Sequence, residues 1–325
     1  MAGIFLATRA FDREFDGLFD FVGASTAAMW NMRWQVRGYK DAHPNASQSQ
    51  LIGHFVAGSR IGKFKFEFFT DSTWEQQEAQ IARMALVNVI ALYEGWLEGI
   101  SPLRPSASQR RRLQRTRARQ ICEAIPDPGD AVFANAVLEL RQLLAQQQSS
   151  VMEDLYGQSL SRLAIYSGAD LSALLAYYRF FKEIRNLFMH GTGDPNQYLL
   201  GAAAAVSNIT YKPKRASRAG NVVIPHVAVG VPPVIDLSHA FFACHIVRSL
   251  VRTLDIELAL TKAAEDEVAG YCAARGPVRL SWRGSEQRAV RAVREYFASL
   301  GYPRPSGGDL MYQRLLAEGS IKLNR

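Results

Sequence analysis

The segment Ile81–Leu97 constrains the fold most strongly, because it is apolar on nearly every side when drawn as a helix. The polar residues inside it are Arg83, Asn88 and Glu94. A helix without a polar face has to be surrounded by other elements of the protein. A Ser-Thr pair at 72–73 offers an N-cap before it. The sequence therefore predicts a helix at the centre of a helical bundle.

A second segment carries a clear helical period. Its apolar residues recur every three or four positions, at Leu171, Leu174, Leu175, Tyr178, Phe181, Ile184 and Phe188. Glycines and a proline at 191–195 must end this helix. A third long helix is predicted from Leu237 to about Ala264. Together these segments predict a mainly α fold, an up-and-down helical bundle.

Small β elements are predicted at three places. Residues 63–68 alternate between polar and apolar, with Phe64, Phe66 and Phe68 on one face, which is the period of a half-buried strand. Trp30–Val36 is interpreted as another strand, after a short amphipathic helix near Arg9–Phe21. Two valine-rich runs predict a hairpin near 221–231.

These patterns divide the chain into three predicted units. Residues 1–71 form an N-terminal mixed α/β region, and residues 72–264 form the helical domain. Residues 265–325 form a small C-terminal appendix, with one helix near 285–300 and a second after Gly308. The sequence contains no internal repeat.

The charge balance suggests a polyanionic partner. Among the 325 residues, 38 Lys and Arg face 30 Asp and Glu, so the formal net charge is +8. Most of the basic residues are Arg, whose planar fork of donors fits phosphate oxygens in two-point contact. Nucleic acid is one such partner, although charge alone does not select it.

Three cysteines favour a reducing compartment. Cys122, Cys244 and Cys272 are far apart and form no CxxC motif, so neither a disulfide framework nor a zinc site is predicted. The first residues lack a basic leader followed by a long apolar run. The apolar run Leu199–Val206 is too short to span a bilayer. A soluble, cytoplasmic protein without a membrane partner is expected.

The end of the second helix carries the residues that suggest chemistry. Its sequence over 181–191 is Phe-Lys-Glu-Ile-Arg-Asn-Leu-Phe-Met-His-Gly, with Arg185, Asn186 and His190 as the reactive types. Arg37 and His43 match the same Arg-x(4–6)-His spacing. We set that pair aside because it lies among turn residues, with Gly38 inside it and a proline beyond.

The motif at 185–190 resembles the signature of the HEPN family, in which Arg is followed by a polar residue and, four to six positions on, by His. The order of elements over residues 72–264 is also similar to the HEPN layout, so the resemblance covers a little under two thirds of the chain. It implies a helical domain of the ribonuclease type found in microbial toxin and anti-phage defence systems.

The resemblance also implies a mechanism without metal or other cofactor. HEPN ribonucleases pair two such helices in a homodimer to build one composite site. His190 would act as acid or base on a ribose 2′-hydroxyl or a leaving oxygen. Arg185 would clamp the scissile phosphate, and Asn186 would orient the backbone. A regulatory or antitoxin protein would inhibit such an enzyme.

Two alternatives stay open. Arg185 could cap nearby carbonyl groups, with His190 an ordinary histidine at a helix C-terminus, where positive charge is favoured. The chain could also be a non-catalytic HEPN module that binds RNA or protein in a larger defence or CRISPR-like assembly. On a continuous helix five residues turn by roughly 140°. The two side chains therefore converge only if the helix ends or loosens before His190.

Two basic clusters are candidates for an RNA track. The first comprises Arg110, Arg111, Arg112, Arg115, Arg117 and Arg119, and the second Lys212, Lys214, Arg215 and Arg218. Arg111, Arg115 and Arg119 have i, i+4 spacing. Phosphate contacts are one use of such a face, and a solvated surface is the other.

Weaker candidates have structural interpretations. His239, Cys244 and His245 lie near the start of the helix from Leu237, among apolar neighbours, and core packing is expected for them. Glu94, inside an apolar helix, is expected to be a structural partner for Arg83, Lys182 or Arg185. The sequence contains no phosphate-binding glycine loop, no GxSxG and no HExxH.

Overall fold

The computed structural model describes residues 3–59, 64–100, 145–160, 168–190, 194–209, 211, 224–281 and 286–324. These residues are mainly helical. The helices are α1 (Leu6–Ala42), α2 (Gln48–Phe55), α3 (Glu67–Thr70), α4 (Trp74–Gly99), α5 (Ser150–Tyr156), α6 (Leu171–His190), α7 (Gln197–Ser207), α8 (Leu237–Ala259), α9 (Lys262–Ala274), α10 (Glu286–Ser299) and α11 (Asp309–Ala317). Two strands are β1 (Val278–Ser281) and β2 (Ile321–Asn324). None of the helices in this part of the chain has the length and apolar character that a membrane crossing requires.

Helix α4 is the central element, as its all-round apolar character predicts. Thr73 is its N-cap and forms a capping box with Gln76. Leu86, Ile90 and Tyr93 are fully buried. The helix contacts α1, α6 and α8.

Helix α6 follows a short 3-10 turn at Gly168–Asp170 and runs to His190. The predicted periodic residues up to Ile184 lie on its buried face, which includes Leu174 and Tyr178, whereas Phe188 is only half-buried. This face packs against α4, α7 and α8. The helix at the candidate site therefore stands on the core of the bundle.

The strand predicted at Trp30–Val36 is wrong, because these residues continue α1, which is 37 residues long rather than a short helix. Arg33 and Val36 are buried three positions apart, whereas Trp30 and Trp34 are largely exposed. That spacing is helical. Packing of this face against α3 selects the helix over the strand preference of the aromatic residues.

The strand predicted at 63–68 is also wrong. Residues 64–65 have no regular structure. Phe66 immediately precedes the short helix α3, and Phe69 lies within it. Phe66 and Phe69 are buried three positions apart, and the Phe64 and Phe69 rings stack with centroids 5.7 Å apart. The alternation of phenylalanines reflects a small aromatic cluster rather than a pleated face.

The long helix predicted from Leu237 to Ala264 ends earlier than expected. Helix α8 stops at Ala259, and Thr261 caps a separate helix α9 by accepting a hydrogen bond from the Ala264 N–H group. Thr261 also bridges to Gln148 near the start of α5. The cap and the bridge together explain the break.

The predicted hairpin near 221–231 lies partly outside the described residues. In its described part, Ala228 and Val231 form one antiparallel bridge around Gly230, which has φ of +72°. The helices predicted near 285–300 and after Gly308 are confirmed as α10 and α11. The sequence did not predict the parallel pair of β1 and β2, in which Val278 pairs with Ile321.

One cluster of buried hydrophobic residues draws on all three predicted units, with Phe15, Tyr93 and Phe297 among its members. Helix α1 contacts α4, and α11 contacts α5. The described parts of the three units therefore share a core. The domain boundaries themselves stay predictions.

Candidate functional site

The C-terminal half of α6 carries the three residues of the predicted site. Arg185 and Asn186 are half-buried, and His190, the last residue of the helix, is exposed. Leu187 lies between them on the buried face. The side chains that the motif needs are thus held on a helix whose other face is anchored in the core.

Arg185 is fixed by two neighbours. Its Nη2 atom donates to the Glu94 Oε2 atom at 2.8 Å, and its Nη1 atom donates to the Asn186 Oδ1 atom at 3.0 Å. The Lys182 Nζ atom lies 3.5 Å from the other oxygen of Glu94. Of the three partners predicted for Glu94, Lys182 and Arg185 are confirmed, whereas Arg83 lies over the Phe188 ring instead. The Glu94 carboxylate therefore links α4 to α6.

These contacts determine what Arg185 can offer to a ligand. The Glu94 carboxylate offsets part of the positive charge of Arg185 and Lys182. The Arg185 Nε atom is buried and has no hydrogen-bond partner among the described residues. The bonds to Glu94 and Asn186 hold the guanidinium group in one orientation. The remaining N–H groups of its two terminal nitrogens can still donate to a phosphate.

Arg185 and His190 do not converge within one chain. Helix α6 continues without a break to His190, so the helix has not ended before the histidine. Five residues of α-helix turn by roughly 140° and rise about 7.5 Å, so the two side chains point in different directions. A site that uses both groups needs a second set from another molecule.

The surface around His190 is open and partly apolar. Met189 is 59% exposed beside it. Two residues before His190, the Phe188 ring lies under the guanidinium group of Arg83, with 4.8 Å between the Arg83 Cζ atom and the ring centroid. The imidazole can therefore reach a ligand or another protein molecule without any rearrangement of the core.

The second Arg-x(4–6)-His match also ends a helix. Arg37 lies within α1, so the prediction that it lies among turn residues is wrong. Its guanidinium group donates to the carbonyl oxygens of Phe69, Thr70 and Ser72 at 3.0, 2.9 and 3.2 Å. Those bonds, rather than a turn, identify Arg37 as structural, because they satisfy the carbonyl groups at the end of α3.

The predicted RNA track lies outside the described residues. This holds for Arg110, Arg111, Arg112, Arg115, Arg117 and Arg119, and for Lys212, Lys214, Arg215 and Arg218. Their contribution to RNA binding stays a prediction from the sequence.

The surroundings of His239 and His245 on α8 indicate structural roles for both histidines. His239 forms a capping box with Asp236, and Cys244 is buried. Burial raises the pKa of the Cys244 thiol to about 12 and lowers the pKa of His245. Within the described ranges, no group of three or more His, Cys, Asp or Glu is arranged to hold a metal ion.

Comparison of the chain with protein-family models finds no match, and comparisons with curated proteins and with solved structures find none either.

Proposed function

We propose that this protein is a metal-independent endoribonuclease of the HEPN type, with His190 as acid or base and Arg185 as phosphate clamp. The observation that carries the proposal is the exposure of His190 at the end of the helix that also carries Arg185, whose guanidinium group is held by Glu94 of α4. A general acid or base has to reach substrate, and a clamp has to be preorganised.

The divergence of the two side chains requires a homodimer that joins two α6 ends. One His190 would accept the proton of a ribose 2′-hydroxyl while its oxygen forms a bond to phosphorus. The bond from phosphorus to the 5′-oxygen would break, and the second His190 would donate the proton to that leaving oxygen. Arg185 would stabilise the charge on the phosphoryl oxygens, and Asn186 would orient the strand.

The biological role that we propose is that of a toxin or anti-phage defence effector. It rests on analogy with HEPN ribonucleases of microbial conflict systems rather than on the chemistry of the site. A regulatory or antitoxin protein would then restrain the cleavage of cellular RNA.

A non-catalytic HEPN module that binds RNA or protein is the second candidate. The contact between Glu94 and Arg185 favours it, because the carboxylate already occupies part of the donor set that a phosphate would need. In this case His190 would contribute to an interface rather than to proton transfer.

An RNA cleavage assay in the presence of EDTA separates the two candidates. The wild type should cleave single-stranded RNA, and His190→Ala should lower the rate by about 100-fold or more. His226→Ala is the matched control, because His226 is also exposed and lies outside α6. Cleavage that survives His190→Ala, or that EDTA abolishes, would contradict the proposed enzyme. Tight RNA binding without cleavage would favour the second candidate.

A further inference from the structure

Helix α10 and the chain that follows it enclose an open cleft of about 460 Å³. Arg291, Arg294 and Arg304 contribute three guanidinium groups to its lining, and Glu295 and Asp309 contribute two carboxylates. The volume lies within the range of pockets that hold small organic groups. This cleft is in the C-terminal appendix, to which the sequence assigned no function.

The packing of α10 explains why arginines collect on one side. Val290, Val293 and Phe297 are buried at helical spacing, so the residues between them face away from the core. Arg291 and Arg294 are three positions apart on that outer face. The signal was present in the sequence as arginines at 288, 291 and 294, but a solvated helix face carries the same pattern.

The chain after α10 returns Arg304 to the same cleft. Gly301 has φ of +80°, a left-handed conformation that glycine adopts without strain. Beyond this turn, the Pro305 carbonyl oxygen accepts a hydrogen bond of 3.1 Å from the Arg294 Nε atom. That bond fixes the plane of the Arg294 guanidinium group.

The three guanidinium groups differ in their partners. Arg304 pairs with Glu295, so one of the two carboxylates is already neutralised. The terminal nitrogens of Arg294 make no hydrogen bond with the described residues. Arg291 is exposed and has neither an ion pair nor a hydrogen bond with any described residue. Arg291 and the terminal nitrogens of Arg294 therefore remain available to an anion.

We propose that this cleft binds a phosphate group of single-stranded RNA. Arg294 is held by Pro305 with its two terminal nitrogens open, which suits two-point contact with phosphate oxygens. Arg291 adds a second guanidinium one helical turn away. Asp309 also lines the cleft, and its negative charge disfavours a densely charged anion there. The inference rests on the proposed function, because it takes RNA as the ligand.

Fluorescence anisotropy with a labelled single-stranded RNA tests the proposal on the full chain. Arg291→Ala should weaken binding by about tenfold, the effect of one charge-assisted contact. It should also reduce the slope of log Kd against log salt concentration by about 0.7. Arg291→Lys keeps the charge but loses the fork, so its affinity should lie between those of the alanine variant and the wild type.

Arg13→Ala is the matched control for lost charge. Arg13 is an exposed helical arginine on α1 without an ion pair or hydrogen bond to the described residues. The control should bind RNA as the wild type does. Equal weakening by Arg13→Ala and Arg291→Ala would overturn the proposal, since net charge alone would then explain the loss. Unchanged binding by Arg291→Ala would overturn it as well.

Adenosine monophosphate as a competitor distinguishes the source of the phosphate. It should displace the RNA only far above the Kd of the RNA. Displacement at a comparable concentration would assign the cleft to a free nucleotide and overturn the RNA assignment. The cleavage assay keeps this inference separate from the proposed function. Cleavage by the wild type together with unchanged RNA binding by Arg291→Ala would overturn the cleft alone, whereas RNA binding that depends on Arg291 without any cleavage would overturn the proposed nuclease alone.

Discussion

The Glu94 Oε2 atom on α4 lies 2.8 Å from the Arg185 Nη2 atom on α6. The same carboxylate lies 3.5 Å from Lys182, one turn earlier on α6. These contacts connect the central helix of the bundle to the helix that ends at His190. Glu94 is consequently the residue through which the core can orient the candidate phosphate clamp.

Glu94→Gln should affect cleavage more than stability. The ion pair is partly exposed, so its loss should lower the free energy of unfolding by about 0.5 kcal/mol. Without the carboxylate, the Arg185 guanidinium group is no longer held in one orientation, and we expect the cleavage rate to fall roughly tenfold. Urea unfolding and single-turnover cleavage measure the two effects.

Glu14→Gln is the control for Glu94→Gln, because Glu14 is exposed on α1. Glu14→Gln should change neither the free energy of unfolding nor the cleavage rate. A large loss of stability with unchanged cleavage by Glu94→Gln would assign Glu94 a structural role alone.

The sequence predicted the helices that carry their own pattern. Helix α4 was predictable from its N-cap and its apolar length, and α6 from the spacing of Leu174, Tyr178 and Ile184. A basic partner for Glu94 was also predictable, because a carboxylate in an apolar helix needs a partner, but the sequence left three candidates open and the fold selects Lys182 and Arg185.

Patterns shorter than two helical turns were not decisive. Phe64, Phe66 and Phe68 fit a strand and an aromatic cluster equally well, and contacts of the folded chain decide between them. The parallel pairing of β1 with β2 joins four-residue segments about forty positions apart, and nothing local encodes that pairing.

Thr8→Val should destabilise the fold through a buried polar chain. The Trp96 Nε1 atom donates to the Thr8 Oγ1 atom at 2.8 Å, and that hydroxyl donates to Asp255 at 2.5 Å. Valine keeps the shape of the side chain but leaves the indole N–H group buried without an acceptor. We expect a loss of about 2 kcal/mol in the free energy of unfolding, measured by urea denaturation.

Thr26→Val is the control for Thr8→Val. The Thr26 hydroxyl donates to the Val22 carbonyl oxygen within the same helix, and its loss leaves no buried donor without a partner. This variant should stay within about 0.5 kcal/mol of the wild type. Equal losses in the two variants would argue against the buried chain as the cause.

Asp255 should make stability depend on pH. Burial raises the pKa of this carboxyl group above the ordinary value for an aspartate, although Thr8 and the Ile4 and Phe5 N–H groups donate to it. Above pH 3.8 the unfolded chain therefore loses the Asp255 proton before the folded chain does. The stability contributed by the protonated group is present at low pH and is lost as the pH rises through the pKa that Asp255 has in the folded protein.

Asp255→Asn isolates this contribution. The stability of the wild type relative to the variant should decrease as the pH rises from about 4, by at most about 1.4 kcal/mol per pH unit. Urea unfolding of both proteins at several pH values measures the difference. A relative stability that increases with pH would mean that the hydrogen bonds to Asp255 outweigh its burial.

Mixing two inactive variants tests whether the active site is composite. Arg185→Ala leaves two histidines and no clamp in a homodimer, and His190→Ala leaves two clamps and no histidine. A mixed dimer contains one Arg185 and one His190, each from a different chain. This dimer has one of the two histidines that the mechanism uses, so one proton transfer is left to water. Because the two side chains diverge on a single α6, we still expect the mixture to cleave faster than either variant alone, at a rate about 100-fold or more below that of the wild type. The variants should be unfolded and refolded together so that subunits exchange, and light scattering should show a dimer before the assay.

Recovery in a strictly monomeric sample would contradict the composite site. Failure to recover in a verified mixed dimer would contradict a site that combines Arg185 of one chain with His190 of the other.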